Sequence, residues 1–205
     1  MLIRINIQIF VVIILFILTK QIEIYAWLMG FALIHECAHA IMGIILKLKP
    51  KVLEIQPFGI GIAFESFENT EKNKILIALA GPVINIIIAL AFMTINIDKS
   101  QIIVKTNLVL AICNLLPIYP LDGGRILKSY ISIRLGSAVA DNITNKIANI
   151  LLIILAIISI IITIVFHNIG VLLILLYLYI IVRQENKRTK MKKRIRNLIE
   201  KQKNT

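Results

Sequence analysis

The sequence predicts an all-α polytopic membrane protein with about six transmembrane helices. Hydrophobic residues make up 59% of its 205 residues, and the mean hydropathy is +0.88, whereas a soluble domain is about 45–50% apolar. Apolar runs such as residues 3–19 and 147–166 approach the roughly 17–25 residues needed to cross a hydrocarbon core of about 30 Å. The third indication of a polytopic membrane protein is the distribution of Lys and Arg between the apolar runs.

Hydropathy places the helices at residues 5–19, 24–46, 75–97, 102–118, 143–166 and 169–182. The first run follows Arg4, as a signal peptide would, but it lacks a small-residue cleavage motif, so we expect it to be retained. With a cytoplasmic N-terminus, twenty of the 23 Lys and Arg residues fall on the inner side. We therefore expect a multi-pass membrane protein with both termini in the cytoplasm.

Residues 51–65, after the second predicted helix, favour a small membrane-associated β-hairpin. Short alternations of apolar and polar residues surround Pro57, Gly59 and Gly61. Alternate apolar residues within 60–64 would share one strand face, which could dip into the membrane interface. Non-helical backbone at membrane depth is tolerated only where protein or water covers its polar groups, so we expect an internal cavity beside it.

The chain is predicted to have an integral membrane domain over residues 1–182 and a basic cytoplasmic tail over residues 183–205. The formal net charge is +12, and the tail alone holds ten Lys and Arg against two Glu. A polybasic segment beside a last span is expected to lie near anionic lipid. Nucleic-acid binding is the alternative, but few aromatic residues are available to stack on bases, so we expect none.

The chemistry is concentrated in His35-Glu36-Cys37-Ala38-His39, inside the second predicted helix. Positions i and i+4 of a helix share a face, so both imidazoles can reach one metal ion, while Glu36 can remove a proton from a water on it. Two structural histidines are the alternative. They are disfavoured because Glu36 would lie about 18 Å into the bilayer, where an uncompensated carboxylate costs at least ~2.5 kcal/mol.

A catalytic zinc ion with one open position needs a third protein ligand. The candidate is Asp122, in a segment where Pro117, Pro120 and Gly123-Gly124 break the fourth predicted helix. An Asp on such a segment can turn toward the second helix beside a cavity. A simple Asp-Gly turn is the alternative, and the nearby intramembrane polar residues and prolines favour the ligand.

These motifs resemble those of the site-2 protease family of intramembrane zinc metalloproteases, over roughly residues 24–135. The likeness rests on His-Glu-x-x-His in one span and on Asn114-x-x-Pro117-x-Tyr-Pro-Leu-Asp122-Gly in a later one. Residues 80–85, Ala-Gly-Pro-Val-Ile-Asn, are also similar to the family's core pattern.

The resemblance implies one catalytic Zn²⁺ bound by His35, His39 and Asp122, with Glu36 as the catalytic base. It also implies that Asn114 orients the site or contacts the substrate backbone. The remaining candidates for binding substrate or supporting the site are Pro117, Asn85, Gly59 and Gly61.

Within this family the chain resembles the stage IV sporulation protein FB type. The resemblance implies regulated intramembrane proteolysis of a membrane-associated sigma-factor precursor during sporulation. It also implies a bacterial cell membrane as the location, and for the sporulation type the membrane around the forespore. Membrane regulatory proteins of the sporulation type are the implied further partners. Anti-sigma factors and signal-peptide remnants are alternative substrates. We expect neither the PDZ nor the CBS domain that many relatives carry.

We expect the substrate to add as an extended strand near residues 59–64 and to present its carbonyl to the zinc, with Glu36 moving the proton from water to the leaving amine. A membrane metal-ion or proton transporter is the main rival, but it needs further His or acidic residues across the bilayer, and the fifth and sixth predicted helices have essentially none. A noncatalytic scaffold would not need Glu36. A metalloprotease that processes prenylated proteins would take its third ligand from a Glu.

Overall fold

The computed structural model describes residues 2–5, 22–48, 50–56, 59–64, 70–95, 97–166 and 169–203. The first predicted span therefore lies almost wholly outside the described residues. By backbone contacts the chain divides into two compact units, Met1–Leu115 and Leu116–Thr205. The described elements are β1 (Leu2–Ile5), α1 (Ile22–Ile45), β2 (Pro50–Gln56), β3 (Gly59–Phe64), α2 (Glu71–Thr94), α3 (Ser100–Asn114), α4 (Asp122–Leu135), α5 (Ser137–Phe166) and α6 (Ile169–Lys203).

Three helices in the described part of the chain are long and apolar enough to cross a membrane: Tyr25–Ile45, Glu71–Thr94 and Ser137–Val165. They correspond to the second, third and fifth predicted spans. The fourth differs from its predicted bounds, because α3 ends at Asn114 after 15 residues, before the two prolines. Helix α6 continues to Lys203 through most of the predicted tail. The count of six spans stays a prediction.

The three strands form one sheet in the order β1-β2-β3. Strand β2 pairs antiparallel with β3, and Gln56 lies opposite Gly59. The sequence predicts a hairpin over this segment, and its Pro57 lies outside the described residues. Strand β1 adds parallel to β2 and was not predicted, because the apolar run that starts at residue 3 favours a membrane helix by composition. Membrane association of the hairpin stays a prediction.

Helix α1 ends in a tight backbone cap at Lys47. The N–H of Lys47 donates to Ile44 O at 2.9 Å, and the N–H of Leu48 donates to Gly43 O at 2.9 Å. This is the bonding pattern of a Schellman motif, in which the residue after the helix takes a left-handed conformation. Lys47 has φ 60, a region in which glycine is the usual residue. The cap turns the chain from α1 toward β2.

Helix α2 lies between α1 and α3 in the first unit and contacts both. It begins after Thr70, whose side-chain oxygen accepts a hydrogen bond from the N–H of Asn73 at 3.2 Å. Pro82 lies in its interior, where the missing N–H leaves one carbonyl of the preceding turn without a helical donor. Helix α1 also packs against β3, so the sheet borders the helix that carries His35 and His39.

The second unit is a helical assembly in which α5 packs against both α4 and α6. Its core cluster joins Ile118, from the loop before α4, to Ala148 and Leu152 of α5 and to Val182 of α6. Gly136 separates α4 from α5 at φ 83, a conformation that favours glycine. The loop before α4 is thus anchored in the core of its own unit.

The helices carry isoleucine outward and polar side chains inward. Exposed examples are Ile41 at 58%, Ile87 at 54%, Ile153 at 64% and Ile164 at 68%. Buried polar residues include His35, His39, Asn85, Asn107 and Thr144. Soluble proteins rarely expose contiguous apolar surface of this extent, whereas lipid tails are as apolar as the side chains facing them. The chain is therefore a membrane protein.

Replacing Lys47 with Gly is expected to stabilise the protein. An L-residue in the left-handed region costs roughly 1–2 kcal/mol, which glycine avoids, so the Lys47→Gly variant should unfold at a higher temperature in detergent. Lys105→Gly is the control, because Lys105 is exposed inside α3 and an interior helical glycine costs about 1 kcal/mol. Equal lowering of the unfolding midpoint in both variants would contradict this account of the cap.

Candidate metal centre

His35 and His39 of α1 point their imidazoles into the first unit from one helix face. Their ring centroids are 4.7 Å apart and the ring planes cross at 87°. The two residues are only 3% and 2% exposed. The spacing of four residues produces this arrangement because it separates two side chains by one helical turn.

A backbone carbonyl of α2 orients the second imidazole. His39 Nδ1 lies 2.6 Å from Ile77 O. A carbonyl oxygen can only accept, so Nδ1 carries the proton in this hydrogen bond, and the neutral ring keeps its lone pair on Nε2. Metal-ligating histidines commonly make this second bond, which fixes the tautomer and the ring orientation.

Gly81 brings the backbone of α2 against both imidazoles. A Cβ built on Gly81 would lie 2.6 Å from His35 Cε1 and 2.6 Å from His39 Cε1, closer than real carbon contacts allow. Gly81 follows Ile77 by four residues, so one face of α2 provides both the Ile77 carbonyl and the space that the missing side chain of Gly81 leaves for the imidazoles. In the sequence this glycine belongs to the family-like pattern of residues 80–85, and the structure shows that it packs against the two histidines.

Glu36 and Asn85 are the other polar candidates of the first unit. Glu36 follows His35 on α1 and is half-buried. Asn85 is fully buried at 0% exposure, and neither atom of its side-chain amide makes a hydrogen bond to the described residues. It follows Gly81 by one helical turn on α2. A buried amide without a partner is costly, so its position needs an explanation.

Asp122 is the first residue of α4 in the second unit and is 5% exposed. Its Oδ1 lies 3.4 Å from Nη1 of Arg125, one turn along the helix. The N-terminal turn of a helix favours a negative charge, because its backbone N–H groups lack helical partners. Both features stabilise the ionised carboxylate, which is the form that binds a metal ion.

The remaining predicted residues lie in three places. Asn114 ends α3, where its Nδ2 donates to Leu110 O at 3.0 Å, and Pro117 lies in the loop that follows. Gly59 and Gly61 lie in β3, opposite Gln56 and Glu54 of β2. Sequence reasoning missed the carbonyl of Ile77, which no side-chain pattern can indicate.

Comparison with known proteins places these motifs in a family. The model of the peptidase M50B-like family matches residues 7–120, and that of peptidase family M50 matches residues 96–159. A zinc metalloprotease of Methanocaldococcus jannaschii is 27% identical over 167 residues, which is 75% of this chain and 46% of that protein. Stage IV sporulation protein FB of Bacillus subtilis is 30% identical over 117 residues, which is 54% of this chain and 41% of that protein.

A solved structure has the same fold. The site-2 protease from Methanocaldococcus jannaschii superimposes with a TM-score of 0.71 over 89% of each chain, at 23% sequence identity. Since the M50B-like match covers more than half of the residues, the chain belongs to peptidase family M50, the family of the site-2 proteases. The chain matches less than half of the length of these curated relatives.

Adding one methyl group at Gly81 is expected to disrupt the metal centre. The new Cβ of Gly81→Ala would overlap both imidazoles, so we expect zinc affinity to fall at least tenfold, the usual effect of disturbing ligand orientation. Gly30→Ala is the matched control, because a Cβ at Gly30, also within a helix, meets nothing within 4 Å. The measurement is competition for zinc with a chelator of known affinity. Equal affinity in both variants would show that Gly81 does not shape the centre.

Proposed function

We propose that this chain is an intramembrane zinc metalloprotease in which His35, His39 and Asp122 hold one Zn²⁺. The observation that carries the proposal is the pair of buried imidazoles, of which His39 has its Nδ1 occupied by Ile77 O. Two imidazoles and a carboxylate suit a catalytic zinc with one open position. Zinc metalloproteases among the relatives support Zn²⁺ as the ion.

Glu36 is the proposed general base. It is adjacent to His35 and half-buried, so it can face the reacting centre without ligating the ion. Zinc at this position supplies Lewis-acid polarisation of a carbonyl and of water. The Glu36 carboxylate accepts a proton from the attacking water and passes it to the leaving amine, a role that contributes about 10²–10⁴-fold to the rate.

Asn114 and Asn85 are proposed to hold the substrate backbone or water. The partly buried Asn114 uses Nδ2 in a bond to its own helix, which leaves the amide oxygen to accept. The Asn85 amide is fully buried, and neither of its polar atoms bonds to a described residue, so both can bond to a bound peptide or water. Pro117 supports the break in the chain between Asn114 and Asp122, since it cannot continue a helix.

A substrate segment is proposed to bind as an extended strand along β3, near Gly59 and Gly61. In the described sheet β3 pairs with β2, so its other edge is the place for strand addition. Small residues allow close backbone approach there. Strand addition exposes a peptide bond whose N–H and C=O groups would be hydrogen-bonded inside a transmembrane helix.

The proposed topology has six spans over residues 1–182, with both termini in the cytoplasm. The distribution of Lys and Arg supports it, as do the three helices with the length and hydropathy of a span. Residues 183–205 form the proposed basic tail near anionic lipid. The proposed substrate is a membrane-associated sigma-factor precursor, cleaved in the membrane around a forespore under the control of membrane regulators, as the resemblance to the stage IV sporulation protein FB type implies. The 30% identity over 117 residues to that protein of Bacillus subtilis supports a sporulation role.

Replacing Glu36 with Gln should abolish cleavage and spare zinc. The amide keeps the shape of the side chain but cannot accept the proton, so we expect a loss of at least 100-fold. The assay is coexpression with a tagged sporulation sigma-factor precursor, with zinc content measured on the purified chain. Glu23→Gln is the control, since Glu23 is exposed near the start of α1 and should leave cleavage unchanged. Full activity of Glu36→Gln would falsify the base assignment, and a wild-type chain without stoichiometric zinc would contradict the whole proposal.

Replacing Asn85 with Leu separates function from stability. Leu has a similar volume and removes a buried amide that has no partner in the described part of the chain, so the unfolding temperature should stay the same or rise. Cleavage should fall at least tenfold if the amide holds substrate or water. Asn107→Leu is the control, because Asn107 is also 0% exposed but its Nδ2 bonds to Ile103 O in its own helix. Unchanged cleavage in Asn85→Leu would remove Asn85 from the site.

A further inference from the structure

A partly buried ion pair joins α4 to α5 in the second unit. Lys128 Nζ lies 2.6 Å from Asp141 Oδ1, and the two side chains are only 21% and 11% exposed. Charges this far from water are kept only when they are paired, because removing either partner leaves a desolvated charge. The pair therefore holds one point of α4 firmly against α5.

The same ammonium group also contacts the loop before α4. Lys128 Nζ lies 4.3 Å from the centroid of the Tyr119 ring, well inside the roughly 6 Å range of a cation–π contact. Burial alone would lower the pKa of Lys128, but pairing with Asp141 and the nearby Tyr119 and Glu185 outweigh it, so the pKa is raised. The lysine therefore stays charged and connects the loop, α4 and α5.

Asp122 lies inside the segment that this lysine closes. Tyr119 precedes it by three residues and Lys128 follows it by six. The loop folds back onto the first turn of α4, where a Cβ on Gly124 would come within 2.6 Å of Ile118 O. Ile118 itself is 0% exposed in the core cluster. The direction of the Asp122 carboxylate therefore depends on how the loop closes on α4.

We propose that Lys128 is a positioning residue. Its ammonium group contacts both the Tyr119 ring of the loop and Asp141 of α5, and in this way it holds Asp122 in the direction needed to bind zinc. This inference rests on the proposed zinc-ligand role of Asp122. Lys128 does not touch the ion or the substrate. It acts through the loop, so its loss changes metal affinity more than it changes the folded state.

The direct test is zinc affinity of the full chain in detergent, measured by competition with a chelator. Lys128→Leu removes the cation and should weaken zinc binding about tenfold, the lower end of what outer partners of metal ligands contribute. Lys128→Arg keeps both the ion pair and the stacking on Tyr119 and should restore affinity to within about threefold of wild type. Wild-type affinity in Lys128→Leu overturns the proposal.

Lys99→Leu is the matched control. Lys99 also combines an ion pair, 2.8 Å to Glu23, with an aromatic contact, 5.9 Å to the Trp27 centroid, but both members of its ion pair are exposed. The same substitution there should leave zinc affinity unchanged. An equal loss in both variants would mean that removal of any such lysine weakens the fold, and it would overturn a specific role for Lys128.

A double variant distinguishes positioning from plain stability. Lys128→Leu with Asp141→Leu leaves no unpaired buried charge, so thermal stability should recover. Zinc affinity should stay about tenfold below that of wild type, because the Tyr119 ring still lacks its cation. Recovery of both together overturns the positioning role. If Lys128→Leu does not fold, Tyr119→Leu tests the same clamp with the ion pair intact, and wild-type zinc affinity there is equally decisive.

Asp122→Ala, measured alongside, separates this inference from the proposed function. If Asp122→Ala keeps wild-type zinc affinity, the ligand assignment fails, and the positioning role fails with it. If Asp122→Ala loses zinc while Lys128→Leu keeps it, only the positioning role fails. Loss in both, with recovery in Lys128→Arg, supports the two together.

Discussion

The contact between the backbone of α2 and the imidazoles of α1 determines the geometry of the candidate centre. Gly81 has no side chain, so α2 approaches close enough for Ile77 O to accept from His39 Nδ1 at 2.6 Å. That bond sets the tautomer, and the tautomer decides which nitrogen is left for a metal ion. The His-Glu-x-x-His spacing brings two rings to one face, but the neighbouring helix gives them a fixed orientation.

The bilayer explains why these polar groups survive in the interior. In water, burying apolar side chains drives folding, and the exposed isoleucines of α5 would oppose solubility. In lipid, apolar side chains gain nothing by leaving the surface, and helices associate through close packing and internal polar contacts. Small residues such as Gly81 and Ala78 at the helix contact, with isoleucine outside, follow from this constraint.

Local patterns in the sequence predicted the long helices and the histidine face, because hydropathy and a four-residue spacing are local properties. They did not predict β1, since residues 2–5 become a strand only by pairing with β2, some 50 residues away. The carbonyl of Ile77 has no side-chain signature. The Lys128–Asp141 pair was also missed, because each residue alone resembles an ordinary helix charge. The end of α3 at Asn114 came before its predicted bound because hydropathy does not register where prolines stop a helix.

Burial of the Asn85 amide lowers the stability of the fold. A buried amide without partners costs about 1–3 kcal/mol, and leucine would fill the same volume without that cost. By contrast, the Thr144 hydroxyl donates to Ala140 O in its own helix, so it is inexpensive to bury. The Asn85 amide has no partner among the described residues and lies one helical turn from the glycine that packs against both imidazoles. A fold shaped by stability alone would place an apolar side chain there, and this cost is the physical argument for the proposed role of Asn85 in holding water or peptide.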